Sequence, residues 1–261
     1  SFSARTIICN MDPKRAADMI GLDKFGNSFK KKLDYTYSPS GVMVYLGLKN
    51  IDLKKYGFGK HNIWHCEDFD MNKIWENQKN GNFEKPWVFI STPTLHSNEP
   101  GTCPSGNEIM EVETYAEYGE LAKLKEESYA KYEKRKLEIA ERILDVVEKY
   151  YVPDLRKHID VKVVGSPLTN EYWAWAPEGN AYGMDLTPKQ MGLARITMET
   201  PFSNFFFCNA SAGYAGINGT TGNGLVLFEK LTGEKVYDSS LAPSDDEMAE
   251  AAYKEAKKSD Q

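Results

Sequence analysis

Phe205-Phe206-Phe207-Cys208-Asn209-Ala210-Ser211-Ala212-Gly213-Tyr214-Ala215-Gly216-Ile217-Asn218-Gly219-Thr220-Thr221-Gly222-Asn223-Gly224 is the stretch whose reading decides the fold. Its first four residues are apolar at every position, which predicts a strand buried on both faces, as in a parallel sheet. A glycine-rich run follows directly, then an apolar helix through Leu231 that stops at Gly233. Strand, glycine-rich turn and helix is the arrangement by which α/β proteins approach a phosphate-bearing ligand. The helix N-terminus offers unpaired N–H groups and a partial positive charge, and glycine lets the backbone approach with no Cβ in the way. Gly213, Gly216, Gly219 and Gly222 recur every third residue, with Gly224 two further on. Inside a helix that spacing clears one face for a flat ring or another backbone. The run does not read GxGxxG, and glycine-rich turns also serve plain close packing, so both uses are open on these residues alone.

Upstream, Ala4–Cys9 is a short apolar run, and Asp12 is placed to cap a helix starting at Pro13 and stopping at Gly21. A strand–turn–helix unit entered midway suggests a preceding segment. Gly41–Leu48 and Asn62–Cys66 read as strands, and Asp68–Gln78 as a helix capped by Asp68 with Met71, Ile74 and Trp75 on one face. Trp87–Ser91 is a compact apolar strand, Glu108–Thr114 alternates with period two, and Ile159–Val164 is a further strand. The longest helix is expected within Gly119–Tyr151, with Leu137, Ala140, Leu144, Val147 and Tyr151 as its apolar stripe and a mixed-charge solvated face opposite.

The chain has 261 residues, 41% hydrophobic and 27% charged, enough for one large or two small domains of a globular protein. A net charge of −6, with no basic cluster, argues against nucleic acid as a partner. The four cysteines are scattered without ligand spacing, which fits buried thiols in a reducing, cytoplasmic compartment. His61 and His65 stand at helical spacing, but the residues between them read as strand and no HExxH pattern accompanies them, so no metal is expected. Aromatics make up 12%, which suits an aromatic-lined cavity for an apolar ligand as well as an ordinary core.

Phe206–Thr220 resembles the C-terminal FAD-binding segment of the phytoene desaturase and carotenoid isomerase family, within the wider amine-oxidase-like flavoproteins. Three stretches agree in order. Cys9-Asn10-Met11-Asp12-Pro13 resembles the family's Asn-Ala-Asp-Pro turn. Ile90–Leu95, with Pro104–Asn107, resembles its Ser-Pro-Ser loop and downstream Pro-Pro-Gly element. Pro177–Gly183 resembles its Gly-Ser-Ala-Tyr-Gly loop.

The resemblance implies an α/β (α+β) fold: a substrate-binding domain with a mixed sheet and helices, plus the C-terminal strand–turn–helix of an FAD-binding domain whose Rossmann half is missing. Residues 1–13 would end the FAD-binding domain, 14–200 form the substrate domain, 201–235 return to the FAD site, and 236–261 form a charged tail. Asn209, Ala210, Ser211, Gly213, Gly216, Ile217, Asn218, Gly219 and Thr220 would lie along FAD. Asn209 and Ala210 depart from the family's preferred Gly and Asp, which implies a weaker or differently arranged cofactor contact through this half. Tyr172, Trp173, Trp175 and Tyr182 would line a tunnel or lid for an apolar small-molecule substrate, or else be core aromatics.

The implied activity is flavin-dependent desaturation, saturation or isomerisation of a polyene or isoprenoid, inactive without the Rossmann half. That half would sit on a partner chain, or on the remainder of a longer one. Peripheral membrane contact is a family-level expectation. Two alternatives stand beside it: a scaffold that kept the substrate domain without redox chemistry, and a hydrolase or transferase on an unrelated α+β fold. No GxSxG elbow supports the last, and no catalytic acid or base stands out.

Overall fold

The computed structural model describes residues 3–97, 99 and 101–236; the expected charged tail lies, after Val236, outside the described residues. Strand β1 (Ile7–Cys9) leads into helix α1 (Pro13–Ile20), capped as the sequence implies: Asp12 Oδ1 accepts from the backbone N–H of Lys14 and Arg15 at 3.0 and 3.1 Å. Helix α2 (Asn27–Lys32) follows, then strand β2 (Ser40–Lys49). Next come β3 (Ile63–His65), α3 (Met71–Lys79), β4 (Val88–Ser91), α4 (Pro93–His96) and β5 (Asn107–Ala116). After them lie α5 (Tyr118–Glu127), α6 (Tyr129–Tyr150), α7 (Leu155–His158), β6 (Ile159–Gly165) and α8 (Pro167–Ala174). Strand β7 (Phe205–Phe207) and helix α9 (Gly216–Thr232) close the described chain.

Five strands form one sheet in the order β3-β4-β5-β2-β6, and every pairing in it is antiparallel. The expected mixed sheet is therefore corrected: the parallel strand pair is a separate two-stranded sheet of β1 and β7, with one further parallel bridge between Ile196 and Ala212 among the described residues. The cause is one-sided cover. Val42, Val44, Leu46 and Leu48 of β2 are buried with Ile139, Ile143, Leu144 and Val147 of α6, while Tyr45, Val161 and Val163 remain exposed. A sheet with one open face is the situation antiparallel strands tolerate.

The longest helix, α6, lies within Gly119–Tyr151 as expected, and Ser128, whose extended backbone (φ −169°, ψ 129°) separates it from α5, is of a type that favours helix boundaries because its hydroxyl competes for backbone partners. Three further expectations change. Leu137 falls outside the buried stripe, which runs through Ile139, Ala140, Ile143, Leu144, Val146 and Val147. Asp70, not Asp68, caps α3, accepting from Lys73 N at 3.0 Å. Strand β7 is also not buried on both faces: Phe205 and Phe206 are half-buried and only Phe207 is fully enclosed. A two-stranded sheet has too little cover, and Phe207 is packed by Phe29 of α2, with ring centroids 6.2 Å apart.

A second apolar cluster joins Cys9, Ala16, Ala17, Phe25 and Phe29 from the start of the chain to Met184, Ile196, Phe207 and Ala212 from its far end. This packing brings the β1 turn and the glycine-rich turn together. Among the described residues no helix is long and apolar enough to cross a membrane.

Candidate functional site

Parallel pairing of Ile7 with Phe205 and Cys9 with Phe207 ends both strands at one level, and Cys208 N donates to Cys9 O at 2.9 Å. The turns leaving them, residues 10–12 and 209–211, therefore lie side by side. The segment between Ala174 and Gly183 closes the third side of a cleft of about 310 Å³. A crevice at the carboxyl ends of parallel strands is where open α/β sheets hold ligands. Its volume sits at the small end of ligand pockets, about 300–1,000 Å³.

The walls are tied by side chains. Asn209 is buried; its Nδ2 donates to Met11 O at 2.7 Å, and its Oδ1 accepts from Ser211 N and Ala212 N, both at 3.0 Å. Ser211 Oγ accepts from Met184 N at 2.9 Å. Ser38 anchors the third wall, its Oγ accepting from Tyr182 N and its N–H donating to Gly183 O, each at 2.8 Å. Asn180 Oδ1 accepts from Gly183 N at 2.8 Å. Gly183 has φ +71°, and a Cβ there would overlap Ser211 Oγ, so this position needs glycine on both grounds. Asn223, buried on α9, accepts from Tyr214 N at 3.0 Å and donates to Tyr214 O at 2.8 Å.

Asp12 is the acidic group on the rim. Besides capping α1 it accepts from the hydroxyls of Tyr35 (3.2 Å) and Tyr37 (3.0 Å), while the Lys14 ammonium lies 4.2 and 4.7 Å from their ring centres. Burial first, then the Asp12 carboxylate, pushes the Tyr35 hydroxyl above the ordinary phenol range; burial and Tyr35 do the same to Tyr37, so both stay protonated donors. Trp175, in left-handed conformation (φ 53°), lines the cleft with the Arg15 guanidinium 4.7 Å from its ring centre. Glu171 stands 3.8 Å from Arg15 and accepts from the Tyr118 hydroxyl at 2.6 Å. Burial, with that bond second, pushes the Tyr118 hydroxyl up to about 12.

The residues expected along FAD divide into groups. Asn209, Ala210 and Ser211 line the cleft, but the Asn209 and Ser211 side chains are occupied in holding the turn, leaving Ala210 and the backbone to face a ligand. Gly213 lines a neighbouring pocket of about 320 Å³ on the other side of the turn. Gly216, Ile217, Asn218, Gly219 and Thr220 form the first turns of α9, outside the cleft lining. Thr220 Oγ1 donates back to Gly216 O at 2.8 Å. The third-residue spacing serves close backbone packing at Gly219, where a Cβ would come 2.9 Å from the Tyr214 carbonyl carbon, whereas Gly222 and Gly224 have no neighbour within 4 Å.

Of the expected substrate aromatics, Trp175 lines the cleft and Tyr182 leans toward Gly216. Tyr172 and Trp173 are 75% and 80% exposed on α8 and are neither core residues nor part of the cleft lining.

Sequence reading did not single out Ser38, Asn180, Arg195 or Asn223. Arg195 stands in the otherwise apolar stretch Gly192–Ile196, which is a cue for a buried cation, but its acceptors are backbone atoms with no sequence signature. Beside the cleft, the first turn of α9 has no side-chain cap and no acidic residue, which leaves its N–H groups and partial positive charge available to an anion.

No family model matches the chain. Curated relatives do. The all-trans-retinol 13,14-reductase of Danio rerio is 23% identical over 195 residues, covering 69% of this chain and 32% of that protein. The chloroplastic prolycopene isomerase of Daucus carota is 25% identical over 197 residues, 75% of this chain and 29% of the relative. The 4,4'-diapolycopene oxygenase of a Methylomonas species is 23% identical over 245 residues, 92% and 44%. The chain thus spans between 29% and 44% of the length of these relatives. A solved oxidoreductase from Methanosarcina mazei overlaps with a TM-score of 0.49 at 13% identity, over 87% of this chain and 43% of that one. That likeness is too low to bear on the fold.

Proposed function

We propose that this chain, which belongs to the carotenoid-oxidoreductase-like family, supplies the substrate-facing part and one wall of the cofactor site of an FAD-dependent enzyme acting on an apolar polyene. The single observation that carries the reading is the convergence of three separate segments on one cleft at the carboxyl ends of β1 and β7: residues 10–12, 174–183 and 209–211. Each coincides with a stretch that resembles a motif of that family.

On this reading the backbone at Met11–Asp12 and at Asn209–Ser211, with Ala210, faces the flavin, and the free N–H groups at the start of α9 face its phosphates. Trp175 and Tyr182 bound the substrate side. Bound FAD would supply electron-pair transfer at a carbon–carbon bond; these residues orient it and keep water from the reacting carbons. The five-stranded sheet with α5 and α6 is the centre of the substrate domain, residues 14–200, whose α1 and α2 pack with β1 and β7 instead. GxGxxG occurs nowhere in the 261 residues, so the second wall comes from residues other than these. The relatives are named for reduction, isomerisation and oxygenation, and nothing in them favours a scaffold without chemistry.

Fluorescence titration of FAD onto the chain tests the proposal. One wall predicts saturable but weak quenching, with Kd between roughly 10 µM and 1 mM, or about 4–7 kcal/mol, and loss of the flavin on gel filtration. Stoichiometric FAD retained through the column would contradict the one-wall reading. The absence of saturable quenching would remove the flavin from it.

A further inference from the structure

We infer that Arg195 is the positioning residue of the cleft, a four-point clamp that fixes the loop after Gly183 against the glycine-rich turn. Its side chain is 6% exposed. Nη2 donates to Ala210 O at 2.7 Å, Nε to Gly213 O, and Nη1 to Met184 O and Asp185 O at 3.3 and 3.4 Å. All four acceptors are backbone carbonyls. Among the described residues no carboxylate lies within ion-pair distance of it.

A buried cation without a counter-ion is an expensive way to hold a fold together. Desolvation costs several kcal/mol, and an apolar side chain of similar volume stabilises a core at least as well. What the guanidinium offers is geometry. Its planar fork presents five N–H donors in fixed directions, and here they reach two chain segments at once. Those segments are the ones that meet at the rim of the cleft, where Met184 N donates to Ser211 Oγ at 2.9 Å and Gly183 has no room for a Cβ. Ala210, whose carbonyl Arg195 holds, is the residue of the turn whose side chain is free to face a ligand. A lysine, a single point charge on a flexible stem, keeps the cation but cannot span both segments. Burial draws the Arg195 guanidinium below its ordinary value, yet arginine stays charged in proteins, so the clamp is permanent across the working pH range.

The clamp is a property of this chain. Its effect on a ligand rests on the flavin reading above, and the two are separable by experiment. Amide hydrogen exchange on the unaltered chain is expected to show Met184, Ser211 and Ala212 opening as one unit, with protection factors within about threefold of each other. In Arg195→Lys all three are expected to lose protection by about tenfold or more, while Val44 and Leu144 in the main core exchange as before. FAD quenching, measured well below the variant's own thermal midpoint, should weaken by at least about tenfold while Val44 and Leu144 keep their protection, a split that a general loss of stability would not give.

Parent-like protection at Met184 and Ser211 in Arg195→Lys would overturn the clamp. So would independent exchange of the three amides in the unaltered chain, a result that holds even if the variant does not fold. If the unaltered chain quenches no FAD, the flavin reading fails and the exchange data still decide the clamp.

Discussion

Asn209→Ala probes the turn most sharply. The side chain makes three hydrogen bonds, one to Met11 O and two from the N–H groups of Ser211 and Ala212, which are themselves buried. Alanine fills no cavity and replaces none of them. Each buried N–H left without a partner costs about 1–3 kcal/mol, and the Met11 carbonyl, half-exposed, about 1 kcal/mol more. The loss is then about 5 kcal/mol, which for a chain of this size corresponds to a fall of roughly 10–20 °C in Tm at 2–4 °C per kcal/mol. Asn218 is the control. It stands in the same Asn-x-Thr/Ser pattern as Asn209 but is exposed on α9, so Asn218→Ala should stay within about 0.5 kcal/mol of the parent. Urea unfolding followed by circular dichroism, with equal m-values required, gives both numbers. If Asn209→Ala lies within 1 kcal/mol of the parent, Asn209 does not hold the turn and the account of the cleft wall is wrong.

Gly183→Ala should destabilise by about 3 kcal/mol, combining the left-handed backbone cost of about 1–2 kcal/mol with loss of the Ser211–Met184 bond at about 1 kcal/mol; a parent-like Tm would show that the loop and turn do not meet there. Burial, with Glu111 second, holds the Glu113 carboxyl above the ordinary carboxylate range. A folded-state value raised above the unfolded one means stability that is present below the unfolded value and is lost as pH rises through the folded one. Glu113→Gln should therefore raise Tm over the parent at pH 7–8, with the gain vanishing near pH 3–4; a gain independent of pH would place the cause elsewhere.

Local chemistry carried far in the sequence. Asp12-Pro13 and Gly21 bracket α1, and Gly233 ends α9 in left-handed conformation, because caps are decided by residues a turn apart. The period-two alternation along β5 and the apolar, glycine-punctuated run of β2 also read directly as strands. Strand order and direction were not legible, since the pairing of β2 with β5 and β6 is decided by packing against α6. The site was legible as backbone and opaque as side chains. The turns at 10–12, 177–183 and 209–211 could be picked out, but Asn209 and Ser211, read as ligand contacts, turn inward to fasten the turn. Ser38, Asn180 and Arg195 act across long sequence separations on carbonyls and N–H groups that every residue has, so no pattern of residue types announces them.

Backbone amide NMR of the chain titrated with FAD decides whether the cleft is a flavin wall. Saturable shifts are expected at Met11, Asp12 and residues 209–211, extending to Ile217 and Asn218 at the start of α9, with the amides of β3 and α6 unmoved. Shifts confined to the open face of the five-stranded sheet, or none at millimolar FAD, would contradict the flavin wall.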